Sequence, residues 1–165
     1  MALMYSTTVP LGSDAIDFAL PGTDGKIYSL DRFKEAKVLV IVFTCNHCPY
    51  AQAIWPRLVE FQARVAGRGV RLVGINPNDA QNYPEDHPNE MKKKVKEWGI
   101  NFPYLFDESQ QTAHAYDAQC TPDIYVYDAQ SKLRYHGQLD DNWQEPAKVK
   151  RRAGNAPCPP RVSLY

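Results

Sequence analysis

Two cysteines separated by two residues, Cys45 and Cys48, are the positions in this chain best suited to chemistry. They lie in Phe43-Thr44-Cys45-Asn46-His47-Cys48-Pro49-Tyr50, where a continuous apolar run gives way to a helical pattern. A helix start presents unpaired amides and the positive end of the peptide dipole, both of which favour a thiolate. The two-residue spacing lets the sulfurs approach bonding distance. His47 stands between them and can hold positive charge close to the Cys45 sulfur, lowering its pKa. A lower pKa raises the thiolate fraction and makes Cys45 a better leaving group from a mixed disulfide. It also stabilises the dithiol, so the pair should be more oxidising than one with Pro in place of His47. Cys45 is therefore expected at the exposed edge of the turn as the attacking nucleophile. Cys48, one turn into the helix, is expected to be more buried and to resolve the mixed disulfide.

A second candidate element is Cys120-Thr121-Pro122, just ahead of Asp123-Ile124-Tyr125-Val126-Tyr127-Asp128. Proline at the mouth of a strand is unusual within a sheet. A cis Thr121–Pro122 bond would account for it, although an ordinary trans proline at a strand start is the commoner arrangement. A pair of cysteines can also be half of a zinc site, but no second pair is present to complete four ligands. Neither a metal nor an organic cofactor is expected. Cys120 reads as a buried inert thiol, Cys158 as a free one, and His114 and His136 as surface residues.

The elements that must hold these residues follow from hydrophobic period. Ala15 to Leu20 and Lys26 to Leu30 flank the turn cluster Pro21-Gly22-Thr23-Asp24-Gly25 and predict a hairpin. Lys37 to Phe43 is β-branched throughout, as expected of a strand buried on both faces. Ile54, Leu58, Phe61 and Val65 share one helix face that ends at Gly67 and Gly69, and Pro56 inside it predicts a kink. Val70 to Ile75 is another strand. A polar loop from Asn76 to Pro88 follows, long enough to be functional and equally suited to be a connector. Pro88 to Trp98 predicts a helix and Phe102 to Phe106 a strand. Asp107 should start a further helix, with Gln110 closing a capping box. Asp123 to Asp128 and Lys132 to Leu139 form a second hairpin. Gln144 to Tyr165, with four prolines and no period, reads as an irregular tail. Residues 1–143 are thus expected to be one domain and 144–165 its tail.

Composition excludes several classes. The 165 residues are 44% hydrophobic, as in globular chains, and 19 basic residues balance 19 acidic ones. That balance gives no electrostatic reason to expect nucleic acid or an anionic membrane as partner. No apolar run approaches a membrane span, and Met1 to Pro10 lacks the pattern of a signal peptide, so a cytoplasmic location is expected.

A strand, a C-x-x-C at a helix start, a helix carrying Pro56, and Thr-Pro before a later hairpin resemble the thioredoxin superfamily. More narrowly the chain is similar to the redoxin group, the alkyl hydroperoxide reductase and thiol-specific antioxidant superfamily. The stretches carrying this resemblance are Val42 to Tyr50, Gly74-Ile75-Asn76-Pro77-Asn78-Asp79, Phe102 to Glu108, and Leu139 to Trp143. It implies an α/β thioredoxin fold, a central mixed sheet flanked by helices, with an N-terminal β-hairpin extension. It also implies a cis bond at Pro122, with Thr121 lying against the cysteine pair and pairing with a substrate backbone. Two features depart from thioredoxin. Thr44 replaces the tryptophan before the first cysteine, and Val38 to Phe43 carries no acidic residue, so proton transfer needs another group or water. The helix that normally closes the sheet is also not recognisable in 144–165, and self-association could cover the face left open. A monomer or weak homodimer is expected.

Three functions remain open on these residues. The first is disulfide exchange with a protein or small-thiol partner. The second is hydroperoxide reduction with Cys48 as the peroxidatic cysteine, where Cys45 replaces the threonine that helps bind peroxide. The third is a non-catalytic binding module. Exchange ranks first because that threonine is missing.

Overall fold

A computed structural model of the chain describes residues 3–4, 8–140, 142, 146–150 and 161–163. Within them the strands are β1 (Leu3–Met4), β2 (Ala19–Pro21), β3 (Ile27–Ser29), β4 (Val38–Phe43), β5 (Val70–Asn76), β6 (Tyr104–Phe106), β7 (Cys120–Thr121), β8 (Asp123–Asp128), β9 (Leu133–Gly137) and β10 (Arg161–Ser163). The α-helices are α1 (Pro49–Val65), α2 (Pro88–Glu97) and α3 (Gln111–Ala115).

The Val-Leu-Val-Ile-Val-Phe run of β4 takes the centre of a five-stranded sheet ordered β6-β5-β4-β8-β9. It pairs in parallel with β5, Val38 opposite Val70 through Phe43 opposite Ile75, and antiparallel with β8, Phe43 opposite Asp123. Alternate residues serve opposite faces. Leu39, Ile41 and Phe43 pack with Phe18 and Leu20 of the N-terminal segment, Ala113 of α3, and Tyr116 and Tyr125. Val40 and Val42 pack with Ile54, Trp55 and Leu58 of α1 and Met91 of α2. The mixed sheet flanked by helices is the architecture expected from the alternating pattern. Among the described residues no helix is long and apolar enough to cross a membrane.

The elements differ from their sequence outlines for local reasons. The N-terminal hairpin is short because Asp17 Oδ1 takes the Phe18 and Leu30 amides at its open end, at 2.9 and 3.2 Å. α1 continues through Pro56 to Val65, and Gly67 and Gly69 beyond it have φ of 78° and 79°. The missing Pro56 amide deprives the Gln52 carbonyl of its helical donor. The expected capping box at Asp107 does not form. α3 begins four residues later, Gln110 is its N-cap at φ 60°, and Asp107 Oδ2 accepts the Ala113 amide at 2.9 Å.

Most of 144–165 lies outside the described residues. Of the rest, Pro146–Lys148 form a 3-10 turn, and β10 is a strand where the sequence showed no strand period. It pairs antiparallel with β1 on one side and β7 on the other, placing Val162 opposite Thr121. This pairing is written in backbone hydrogen bonds, which an irregular proline-rich composition does not reveal.

Ile41 is fully buried at the centre of the sheet. Ile41→Ala is expected to cost about 2–5 kcal/mol. Urea unfolding should show a lower midpoint with an unchanged slope.

Candidate active site

β4 delivers Cys45 to the end of the sheet, and α1 begins directly after Cys48, which is its N-cap. Both cysteines are fully buried, as is Thr44. The expectation that Cys45 sits at an exposed edge is therefore corrected: the turn folds under Thr121 and the loop after β5. Cys45 Sγ lies 3.3 Å from Thr121 Oγ1, and the Cys48 thiol donates to the Thr121 carbonyl at 3.5 Å. The Thr121–Pro122 bond is cis, as the resemblance implied. Cys45, Cys48, His47, Thr121 and Pro122 thus converge at one place. Cys120 is buried beside them on β7.

Most polar groups of the 44–48 turn that the fold buries find a named partner, the Thr44 hydroxyl being an exception. Thr44 donates its amide to the Ile75 carbonyl at 2.8 Å. The Cys45 carbonyl accepts from Trp55 Nε1 at 3.2 Å, and the Asn46 carbonyl from Gln52 Nε2 at 2.6 Å. The Asn46 amide donates to Asp86 Oδ1 at 2.6 Å. The Asn46 side chain donates to the Glu85 carbonyl at 2.7 Å and accepts from the Tyr104 hydroxyl at 3.0 Å.

Asp86 was not singled out by sequence. It lies in the polar loop between β5 and α2, on a 3-10 turn over Pro84–Asp86, and is fully buried. Besides the Asn46 amide it accepts from Asn76 Nδ2 at 3.1 Å and Asn78 Nδ2 at 3.0 Å. His47 Nδ1 makes a short hydrogen bond to Asp86 Oδ2. The His47 ring stacks flat on Tyr83, with centroids 4.2 Å apart. The only sequence signal was the loop's length and its Asn and Asp content.

These contacts sort the charges. Burial opposes ionisation of Asp86, but His47, Asn78 and the Asn46 amide outweigh it and hold the carboxyl below its usual range. Burial likewise opposes the imidazolium, yet the Asp86 hydrogen bond and charge raise the His47 pKa. The Cys48 thiol is lowered to about 6 by the hydrogen bond from Cys45, against its own burial and with help from the Ala51 and Tyr50 amides of the first turn of α1. Cys45 is pushed up by burial, by Cys48 and by the Asp86 charge. The amides of the first turn of α1 thus favour charge on the Cys48 side of the pair, whereas the sequence placed the lowered thiol at Cys45.

Ligand atoms of Cys45, His47 and Asp86 all lie within 4.8 Å of one another. Each Asp86 oxygen already accepts two hydrogen bonds, so the trio is arranged as a proton network and not as a metal cage. His136, expected at the surface, is instead part of a second buried pair. Its side chain is 5% exposed and its Nε2 lies 3.1 Å from Asp123 Oδ2, with the ring stacked on Tyr125. His114 is exposed, as expected.

A mixed sheet whose central strand ends in a cysteine pair at a helix start, against a cis-proline, defines a thioredoxin-fold dithiol protein. The chain matches the AhpC/TSA family over residues 11–136 and belongs to it. It is 25% identical over 122 residues to thiol-disulfide oxidoreductase ResA of Bacillus subtilis, a match covering 74% of this chain and 64% of that protein's length. An uncharacterised conserved protein from Geobacillus kaustophilus superposes with a TM-score of 0.91 at 39% identity, covering 99% of this chain and 96% of that one. A hypothetical protein from Sinorhizobium meliloti superposes at 0.87 with 35% identity over 97% and 95%. A thiol:disulfide interchange protein DsbE, so described, from Chlorobium tepidum shares the fold at 0.67 and 24% identity, covering 78% of this chain and 85% of that one.

The lowered Cys48 pKa has a direct signature. A thiol depressed in the folded state stabilises it fully above the ordinary thiol range, and that gain is lost as pH falls through about 6. The reduced protein should gain stability between about pH 6 and pH 8 relative to the disulfide form. Thiolate absorbance at 240 nm should appear with the same midpoint, and Cys48→Ser should move it well upward.

Proposed function

We propose that the chain is a thiol–disulfide oxidoreductase that exchanges a disulfide between the Cys45–Cys48 pair and a protein or small-thiol partner. The observation that carries this reading is the convergence of Cys45 and Cys48 at the start of α1 against Thr121 and the cis Pro122. A thiolate beside a neutral thiol is what a two-step exchange requires. Cys45, as its thiolate, attacks a partner disulfide, forming one S–S bond and releasing one partner thiolate. Cys48 then loses its proton and attacks the Cys45 sulfur, which closes the Cys45–Cys48 disulfide and releases the second partner thiolate. Two electrons pass to the partner, and the reverse sequence oxidises a dithiol. The naming of the Bacillus relative as a thiol-disulfide oxidoreductase supports this reading.

Thr121 touches both sulfurs, through its hydroxyl and its carbonyl, so it fixes their separation and orientation. The outer edge of β7 is paired with β10. Both thiols are buried, so exchange with a partner needs local opening of the site.

Hydroperoxide reduction is a second reading, favoured by one observation: the first-turn amides of α1 lower the thiol of Cys48, the peroxidatic position in the redoxin comparison. In that reaction the Cys48 sulfenic acid would be resolved by Cys45, with loss of water. The absence of the peroxide-binding threonine, whose place Cys45 takes, keeps it second.

Dithiothreitol-driven insulin reduction separates these readings. The protein should accelerate precipitation, and Cys48→Ala should accumulate mixed disulfides through Cys45. Accumulation in Cys45→Ala through Cys48 instead would make Cys48 the attacking sulfur. Saturable hydrogen peroxide turnover with no insulin reduction would overturn exchange. A pair that forms no reversible disulfide in a redox titration would leave only a binding module.

A further inference from the structure

β7 stands next to the sulfurs and, among the described residues, has one strand neighbour. It comprises Cys120 and Thr121, directly before the cis Pro122. Thr121 meets Cys45 Sγ through its hydroxyl at 3.3 Å and Cys48 Sγ through its carbonyl at 3.5 Å. A chain paired along β7 lies one strand spacing away, about 4.7–4.9 Å, and is carried into the neighbourhood of the sulfurs. An open strand edge is a template for a further extended chain, held there by main-chain hydrogen bonds. In this protein the edge is already taken. β10 pairs with it antiparallel, Val162 opposite Thr121 and Ser163 opposite Cys120.

We propose that β10 is a displaceable strand that holds the β7 edge in competition with the partner, an extended polypeptide segment that takes the same edge to bring its disulfide to Cys45. Resting on the exchange reading, this narrows the partner to a polypeptide. A small disulfide makes no strand pairing and does not compete with β10. The exchange of strands is like for like. The main-chain donors and acceptors of β10 leave β7, those of the partner's segment replace them, and the edge keeps its hydrogen bonds throughout.

Three observations make β10 the element that can leave. It is three residues long, with two residue pairs to β7 and two to β1, Leu3 opposite Val162 and Met4 opposite Arg161. Pro159 and Pro160 precede it in the sequence and carry no amide hydrogen, so the ladder gains no donor in that direction. It also stands apart from the main sheet. The order β6-β5-β4-β8-β9 is complete without β10, which pairs only within β1-β10-β7. β10 can therefore release β7 without breaking the ladders of β4, the strand that leads to Cys45. A short strand with few main-chain bonds, outside the central sheet, belongs to the low-stability end of a structure, where local opening occurs.

Steady-state reduction of insulin and of hydroxyethyl disulfide compares the full-length protein with its Val162→Pro variant, which removes an amide from β10 and disfavours its pairing. KM for insulin should fall about tenfold or more, the factor gained when a competent state populated to about a tenth or less becomes the resting state. The insulin kcat and both constants for hydroxyethyl disulfide should stay within about twofold, because neither depends on the edge. An unchanged KM for insulin would overturn the proposal, as would equal acceleration of both substrates, which would make β10 a plain cover. Loss of both activities in a folded variant would also overturn it, by making β10 a support for Thr121. Hydrogen exchange tests the displacement with β10 unaltered. In the mixed disulfide of full-length Cys48→Ala with the insulin B chain, Arg161–Ser163 should lose protection while Cys120 and Thr121 keep theirs. Retained protection at Arg161–Ser163 would overturn the proposal whatever Val162→Pro does. If the unaltered protein reduces neither disulfide, the exchange reading falls and the proposal with it. If it reduces both and β10 stays in place, the proposal alone falls.

Discussion

The arrangement of this site depends on one constraint: the chain must turn inside the protein without leaving buried backbone groups unpaired. β4 is buried on both faces and stops at Phe43, so Thr44, Cys45 and Asn46 leave the sheet while still beneath its cover. An unpaired buried amide or carbonyl costs on the order of 1–3 kcal/mol. The fold supplies partners from three directions. α1 sends Trp55 and Gln52, β6 sends Tyr104, and the loop after β5 sends Asp86 and the Glu85 carbonyl. Each contact serves the backbone first. The placement of the two sulfurs follows from it, because Cys45 and Cys48 ride on a turn whose backbone is held from three sides.

The same constraint sets the charges. Asp86 is the only acceptor offered to the Asn46 amide, and an ionised oxygen makes the stronger bond. Once the carboxylate is there, a thiolate at Cys45 would lie within 4.8 Å of it with little water between. Like charges at that distance repel strongly in a buried site. At Cys48 the amides of Tyr50 and Ala51 favour the charge instead. The result is a graded site in which Asp86 and the raised imidazole oppose charge at Cys45 and the α1 amides favour it at Cys48. Helix dipole and backbone satisfaction together achieve what a single neighbouring histidine was expected to do.

Much of the fold was legible because it rests on period. The β4 run, the spacing of Ile54, Leu58, Phe61 and Val65, and the Gly67 and Gly69 stop all read directly as elements. So did the cysteine pair and Thr121–Pro122, whose residue types are rare enough to mark a site. Three things were not legible. Asp86 sits in a loop of Asn, Asp and Pro where one acidic residue looks like the next, and only tertiary folding singles it out. The start of α1 lies after Cys48, so its first-turn amides meet Cys48, and a helix boundary is among the least legible features of a sequence. β10 is three residues long and pairs with distant strands, so no local pattern announces it.

The two buried carboxylate–histidine pairs clarify what makes one of them functional. Asp123 and His136 are as deeply enclosed as Asp86 and His47, and Tyr125 stacks on His136 much as Tyr83 stacks on His47. Asp123 lies opposite Phe43 in the sheet, directly after Pro122, and its oxygen also meets the Tyr125 hydroxyl at 3.3 Å. That hydroxyl lies 3.0 Å from the Tyr116 carbonyl. This pair therefore locks β8 to β9 and to the segment after α3, fixing the base from which Thr121 reaches the sulfurs. A buried, hydrogen-bonded polar pair of this kind fixes geometry as much as it adds stability. What distinguishes Asp86–His47 is position: it is on the thiol side of the turn, and its imidazole keeps a share of its surface in water.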